Sequence, residues 1–274
     1  MRVQALGCSG AIAQGAYTSA FLIDAALLLD AGTGLGQLSL ERMLEVQHIF
    51  LTHAHLDHIA ALPLMLDAVM ASRTRAARPP INVYAHAETI AALRKHVFNR
   101  VIWPDFTVLP TREQPVMQFV PIQAGQKIQF EDLPYHIEVL PAVHTVAALG
   151  FAVQAGAQAP AVVYTGDTGS NAQLWRRVNA LPMGALIIES AFSNGQSLLA
   201  RAALHLTPDS LRQELAQLDP SKHFPIYITH TKPADAQAVR EEVQAWAAAG
   251  DEAAGGDEPS YDIRFLQCGQ VFEV

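Results

Sequence analysis

The stretch LTHAHLDHIAALP, residues 51–63, decides how the rest of the chain is read. Within it, His53, His55, Asp57 and His58 fall between an apolar strand signal and an apolar helix signal. A core segment does not carry that load, because every buried imidazole or carboxylate needs a partner. The preceding IFLT reads as a strand. Extended spacing sets His53, His55 and Asp57 on one side, and a turn into a helix at Asp57-His58 brings His58 to a neighbouring position. Imidazole and carboxylate together suit zinc or another borderline divalent metal. Four such groups crowd one regular site, and two metals sharing the loop explain the crowding better. Ions roughly 3.5–4 Å apart need further ligands from elsewhere in the chain.

The chain offers them at the ends of later strand signals. His144 follows one in VLPAVHT, Asp167 another in VVYTGDTG, and His230 a third in IYITHT. Each alone reads as a turn or capping residue. Beside HxHxDH the reading reverses, because that motif demands partners.

Composition bounds what such a site serves. The chain has 274 residues, 50% of them hydrophobic, enough for a large core. Neither an internal repeat nor an interdomain linker is visible, so one domain spanning 1–274 is expected. A net charge of −8 argues against broad electrostatic binding of nucleic acid. The two cysteines, Cys8 and Cys268, argue against a disulfide framework and fit a reducing compartment. The start, MRVQALGCSGAIAQG, lacks the apolar core of a secretory signal. Nothing approaches the roughly 18 apolar residues that span a bilayer. The expectation is a cytoplasmic protein with no membrane association.

Short runs rich in Val, Ile, Leu and Tyr predict strands at 2–6, 20–24, 26–30, 48–52, 81–84, 136–140, 150–154, 161–165, 185–189, 225–229 and 261–266. Helical patterns cover 59–71, 88–98, 172–179, 209–218 and 233–249, with Thr207-Pro208 as a cap followed by proline. Residues 72–80 read as a solvated basic turn, and 251–260 as an acidic loop before the last strands. Strands mixed with helices in both halves predict a layered α/β or α+β fold.

With those residues in view, the set Thr52, His53, His55, Asp57, His58, His144, Asp167 and His230 resembles the metallo-β-lactamase superfamily. The resemblance implies an αββα sandwich of two mixed sheets flanked by helices, with a dinuclear metal site at one edge. Within the superfamily the chain looks like the class II 3′,5′-cyclic-nucleotide phosphodiesterases. The matching stretches are THAHLDH, LRKHVFNRVIWPDF (93–106), YTGDTGSNAQLW (164–175) and ALHLTP (203–208). One departure is the run Ile59-Ala60-Ala61-Leu62, where the family pattern has a glycine after HLDH. Alanine replaces it only if φ is negative there.

Carried over by position, the resemblance implies that His53, His55 and His144 bind one metal and that Asp57, His58 and His230 bind the second, with Asp167 bridging. The ions would be zinc, with manganese or iron as alternatives. A hydroxide held between them would attack phosphorus in line, with Asp57 orienting it or accepting its proton. His205 falls on the His-x-Thr element of related phosphodiesterases and would act as general acid or phosphate clamp. Glu189 would pair with it, and Thr207 would accompany it against substrate or cap a helix. Asp30 could orient a ligand histidine, although an Asp-Ala-Gly turn explains it as well. His86 could enter the pocket or cap a helix. The segment around His96, Trp103 and Phe106 could wall the pocket and stack a ring on a base, or serve as a packed cover.

The expected substrate is therefore a small cyclic nucleotide, cyclic AMP or cyclic GMP, and the family resemblance allows a homodimer. A tRNA 3′-processing endonuclease would share the metals and the His-x-Thr element, but needs an arm and a basic surface. A thioester or β-lactam hydrolase would lack Glu189 and His205. A non-catalytic metal-binding protein on this fold would have lost ligands, and all seven are present.

Overall fold

A computed structural model describes residues 1–156, 158–252 and 261–274. The chain divides into two compact units. One comprises Met1–Cys8, Ile12–Gln123 and Gln267–Glu273, the other Ser9–Ala11, Ala124–Leu266 and Val274.

The first unit is built on β1 (Arg2–Gly7), β2 (Ala20–Ile23), β3 (Leu27–Leu29), β4 (His48–Phe50), β5 (Ile81–Ala85), β6 (Met117–Pro121) and, from the far end of the chain, β14 (Val271–Glu273). They form a seven-stranded sheet in the order β14-β1-β2-β3-β4-β5-β6. It is antiparallel from β14 to β3 and parallel from β3 to β6. Strands β2, β3 and β4 are buried along their whole length, without the alternation of a half-solvated strand. Four helices accompany the sheet: α1 (Leu40–Glu45), α2 (Leu56–Ile59), α3 (Leu62–Arg75) and α4 (Ala87–His96). Leu62, Met65, Leu66 and Val69 of α3 pack with Leu28, Ile49 and Val83 in one apolar core.

The helix expected over 59–71 is two helices. Pro63 has no N–H to give the Ile59 carbonyl, so the first ends at Ile59 and Pro63 enters the first turn of the second. Ala60 and Ala61 between them have φ of −57° and −91°, so alanine fits where the family pattern has glycine. The solvated basic turn expected over 72–80 is corrected in its first part and holds after Arg75, where the chain turns and is exposed. The helix runs on to Arg75, and Arg73 is only 3% exposed. Its guanidinium donates to the carbonyls of Leu44, Val46 and Pro79 at 3.0, 3.1 and 2.7 Å. Burial, with Arg78 nearby, lowers its pKa to about 10.

The second unit carries β7 (Lys127–Gln129), β8 (His136–Pro141), β9 (Leu149–Gln154), β10 (Ala161–Tyr164), β11 (Met183–Glu189), β12 (Ile226–Thr229) and β13 (Ile263–Phe265). Its seven strands run in the order β13-β12-β11-β10-β9-β8-β7. The sheet is parallel from β10 to β13 and antiparallel from β10 to β7. Helices α5 (Ala172–Ala180), α6 (Ser197–Ala203), α7 (Pro208–Leu215) and α8 (Ala236–Glu252) belong to this unit. Trp175, Leu211 and Leu215 pack with Leu186, Ile188 and Ile228 of the sheet. Buried Glu214 ties two of these helices together, accepting from Trp175 Nε1 at 2.6 Å and from the Asn171 amide at 2.9 Å.

The chain therefore has the expected α/β class, two mixed sheets flanked by helices. The final loop expected over 251–260 is shortened, since Asp251 and Glu252 close α8, and 253–260 lie outside the described residues. Among the described residues no helix is long and apolar enough to cross a membrane.

Candidate metal centre

In the first unit, parallel pairing of β3 with β4 delivers Asp30 and Thr52 to the same sheet edge. Asp30 has φ of 56°, a left-handed conformation that aspartate tolerates better than most residues. Its Oδ1 accepts from the Thr52 amide at 2.8 Å and its Oδ2 from His58 Nδ1 at 2.7 Å. With the proton of His58 held on Nδ1, the lone pair of Nε2 is the metal-binding face of that ring. Thr52 Oγ1 lies 2.9 Å from His53 Nδ1 and fixes that ring in the same way. His55 occupies the N-cap of α2, and Asp57 and His58 lie in its first turn. The His53 ring centroid is 4.6 Å from that of His55 and 4.2 Å from that of His58. Asp57 Oδ2 is 3.8 Å from His58 Nε2. The opening motif thus gathers all four of its donors. Gly32 makes this approach possible, since a Cβ there would lie 2.1 Å from the Asp57 carbonyl oxygen.

In the second unit, β10, β11 and β12 are parallel neighbours, so the residues after their C-terminal ends emerge together. Asp167, Glu189 and His230 come from those ends. Asp167 Oδ2 and His230 Nε2 are 3.2 Å apart, and both side chains are buried. Glu189, fully buried, grips His205 Nδ1 with Oε1 at 2.8 Å and Oε2 at 2.9 Å. The backbone fixes the carboxylate, through the Thr168 amide on Oε1 and the Leu206 amide on Oε2. Leu204, at φ 54°, ends α6 and turns the chain into His205. Its carbonyl lies 3.2 Å from His144 Nδ1. The His205 ring stacks on His230 with centroids 5.3 Å apart and meets His144 edge-on at 4.9 Å. Asp167, Glu189 and His205 offer donor atoms close enough to hold a cation.

Burial pushes the Glu189 carboxyl up, and the Asp167 charge adds to it, while His205 pulls it back. Burial alone would lower the His205 imidazole, but the Glu189 charge and hydrogen bond outweigh it and raise it. Both shifts favour a proton held within the Glu189–His205 pair, beside Asp167.

Several expectations are redirected. Thr207 caps α7 in a reciprocal capping box with Ser210. His86 caps α4, accepting from the Glu88 amide at 3.3 Å, so the capping alternative is the one observed. Phe106 is fully buried and cannot offer a face to a base. Its ring meets that of Phe98 edge-on, and Trp103 Nε1 donates to the Pro63 carbonyl, so the cover reading of this segment holds. Asp30 and Thr52 set the histidine tautomers, a role the sequence signalled only weakly through strand-end placement.

Each unit thus holds imidazole and carboxylate donors of the kind that binds zinc, manganese or iron, with ring orientation set from behind. The donor set fits divalent metal ions.

Comparison with known proteins agrees with this chemistry. The family described as "Beta-lactamase superfamily domain" matches residues 25–228. A Yersinia pestis protein named "Probable 3′,5′-cyclic-nucleotide phosphodiesterase" is 26% identical over 210 residues, covering 69% of this chain and 57% of that protein. A 3′,5′-cyclic-nucleotide phosphodiesterase of Aliivibrio fischeri is 25% identical over 209 residues, covering 68% of this chain and 59% of its own. The matches thus span somewhat over half the length of these relatives. The crystal structure of unliganded yeast PDE1 superposes with a TM-score of 0.77 at 18% identity, covering 96% of each chain.

Proposed function

Because the chain belongs to the metallo-β-lactamase superfamily, matched over most of its length, we propose that it is a metal-dependent phosphodiesterase that hydrolyses 3′,5′-cyclic nucleotides to 5′-nucleotides. The observation that carries the phosphodiester reading is the two-pronged contact of Glu189 with His205. A buried carboxylate holding an imidazole protonated is a proton donor of fixed direction. The cyclic-nucleotide reading rests on the curated relatives and on the 93–106 segment.

In this reading the two units are halves of one domain, 1–274, and the family match runs across both. By the family resemblance, His53, His55 and His144 would hold one ion, and Asp57, His58 and His230 a second, with Asp167 shared between them. Such ions, zinc in the first instance, would supply Lewis acidity toward water and the phosphoryl oxygens. Asp30 and Thr52 keep the His58 and His53 rings aimed. Asp57 orients the attacking water and takes its proton. His205, held through Nδ1 by Glu189, gives a proton from Nε2 to the departing 3′-oxygen. Thr207, by capping α7, fixes the backbone that follows His205 and positions it against the phosphate.

A substrate panel tests this. Purified protein with zinc or manganese should convert cyclic AMP or cyclic GMP to the 5′-nucleotide, and His55→Ala and Asp167→Ala should abolish it. Turnover of bis-aryl phosphates or precursor tRNA with neither cyclic nucleotide cleaved would leave phosphodiester hydrolysis and remove the cyclic-nucleotide reading.

A further inference from the structure

The two cysteines lie 260 positions apart in sequence, yet Cys8 Sγ and Cys268 Sγ are 3.9 Å apart. Strand pairing explains it. β1 pairs antiparallel with β14, matching Arg2 with Glu273 and Gln4 with Val271. The pairing extends through the Ala5 amide on the Gln270 carbonyl and the Gly269 amide on the Ala5 carbonyl. Cys8 stands just past the end of β1. Cys268 stands in the turn before β14, where Gly269 has φ of 86° and the Gln270 amide closes on the Gln267 carbonyl. Both sulfurs are thus carried by hydrogen-bonded backbone of the same sheet edge. Cys8 is buried, Cys268 half-buried, and both are thiols.

We propose that Cys8 and Cys268 form a thiol–disulfide exchange site that closes to an intramolecular disulfide on reaction with a small disulfide of the glutathione class. A disulfide has its sulfurs about 2.05 Å apart, so closure requires an approach of about 2 Å. The exposure of the two sulfurs assigns the order of attack. Cys268, reachable from solvent, attacks one sulfur of the small disulfide. That S–S bond breaks, a mixed disulfide forms on Cys268, and one small thiolate leaves. Cys8 then loses its proton and attacks Cys268 Sγ, and the second small thiolate leaves. Two protein thiols are oxidised by two electrons, and one small disulfide is reduced to two thiols that carry away the protons. The thiol inequality agrees with this order. Hydrogen bonding from Cys8 is the main cause that lowers Cys268 to about 6, while the same contact and burial raise Cys8 far above an ordinary thiol.

Neither cysteine is among the proposed metal ligands, and the test does not use catalytic activity. The metal-loaded 274-residue chain is equilibrated with oxidised and reduced glutathione, quenched, and mapped by non-reducing peptide mass spectrometry. The expected product is one peptide pair joining Cys8 to Cys268, two hydrogens lighter than the separate thiols, on a monomeric chain and reversed by excess reduced glutathione. In Cys8→Ser, Cys268 should retain one glutathione. In Cys268→Ser, Cys8 should react at least about tenfold more slowly than Cys268 does. Circular dichroism confirms that each variant is folded, and the wild-type map decides the matter if one is not. A stable glutathione adduct on wild-type Cys268 without the internal link would overturn the proposal. So would links only between chains, or equal modification of the two single variants.

Discussion

His58 Nδ1 donates to Asp30 Oδ2 at 2.7 Å, with both side chains sealed from solvent. Asp30 is not among the proposed ligands, yet the proton it holds on Nδ1 decides which nitrogen faces a metal. Asp30→Asn can still accept there, but it lacks the charge and can rotate its amide toward the ring. We expect roughly 10–100-fold weaker metal binding. Competition with a zinc chelator measures it directly, and unchanged affinity would show that Asp30 only shapes its turn.

The Glu189–His205 pair predicts a different pattern. Glu189 accepts both His205 and two backbone amides, so Glu189→Gln retains the shape and removes the charge. His205→Ala should lower kcat about 10²–10⁴-fold, and Glu189→Gln should lower it in the same direction by less. Metal content, measured by inductively coupled plasma analysis, should stay near that of the parent in both. Loss of metal in step with loss of rate would make His205 a ligand in place of a proton donor.

Much of this was legible in the sequence because its signals were local. The strands of both sheet interiors are short apolar runs, and THAHLDH carries its ligand chemistry in adjacent positions. The strands that sequence reading missed, β6, β7 and β14, are all sheet edges with polar residues at intervals. An edge strand needs no continuous apolar run, since only part of it is covered. Helices α1 and α6, of six and seven residues, are too short to show a period. At the site, residue types were legible from the motifs, while the Glu189–His205 pairing was expected only through the family resemblance and Asp30 only as an alternative to a turn. Asp30 reaches His58 across 28 positions, and Glu189 reaches His205 across 16, from a strand end to a helix or the turn before one, which no spacing rule contains. The aromatic segment left two alternatives open for a related reason, because a ring written in a loop can be spent entirely on the core, as Phe106 is.

Gly10 offers a test of His230. A Cβ on residue 10 would stand 2.3 Å from the His230 carbonyl oxygen and about 3 Å from its ring. His230 is itself held at φ 60°, so its backbone has little room to give. Gly10→Ala should cost about 1–3 kcal/mol of stability, as overpacking does. It should also weaken metal binding, because the displaced group is the imidazole. A thermal melt in the presence of chelator isolates the first effect, and a metal titration gives the second. A parent-like result in both would mean that the segment at residue 10 moves aside.

Arg73 tests the first unit alone. Its donors satisfy the Leu44, Val46 and Pro79 carbonyls, so Arg73→Met removes them together. Relief of the buried charge offsets part of the loss, and we expect a destabilisation of about 2–4 kcal/mol in urea unfolding. Arg73→Lys should not restore the parent value, because one ammonium cannot reproduce the planar fork. Parent-like stability of Arg73→Met would mean that water replaces the guanidinium.

The thiol pair predicts a pH dependence with a definite sign. Alkylation requires the thiolate, so the rate at a cysteine rises with pH until its pKa is passed. Cys268 is lowered to about 6, chiefly by the Cys8 hydrogen bond. Its iodoacetamide rate should therefore reach half its plateau near pH 6 and change little above pH 7. Cys8 is raised by the same contact and by burial, so its rate should stay low across that range. Cys8→Ala removes the donor, and the Cys268 midpoint should move up toward the ordinary thiol value of about 8.5. Site-resolved mass spectrometry of alkylation rates from pH 5 to pH 9 reads both midpoints. A Cys268 midpoint near 8.5 in the parent chain would show that the contact with Cys8 does not stabilise its thiolate.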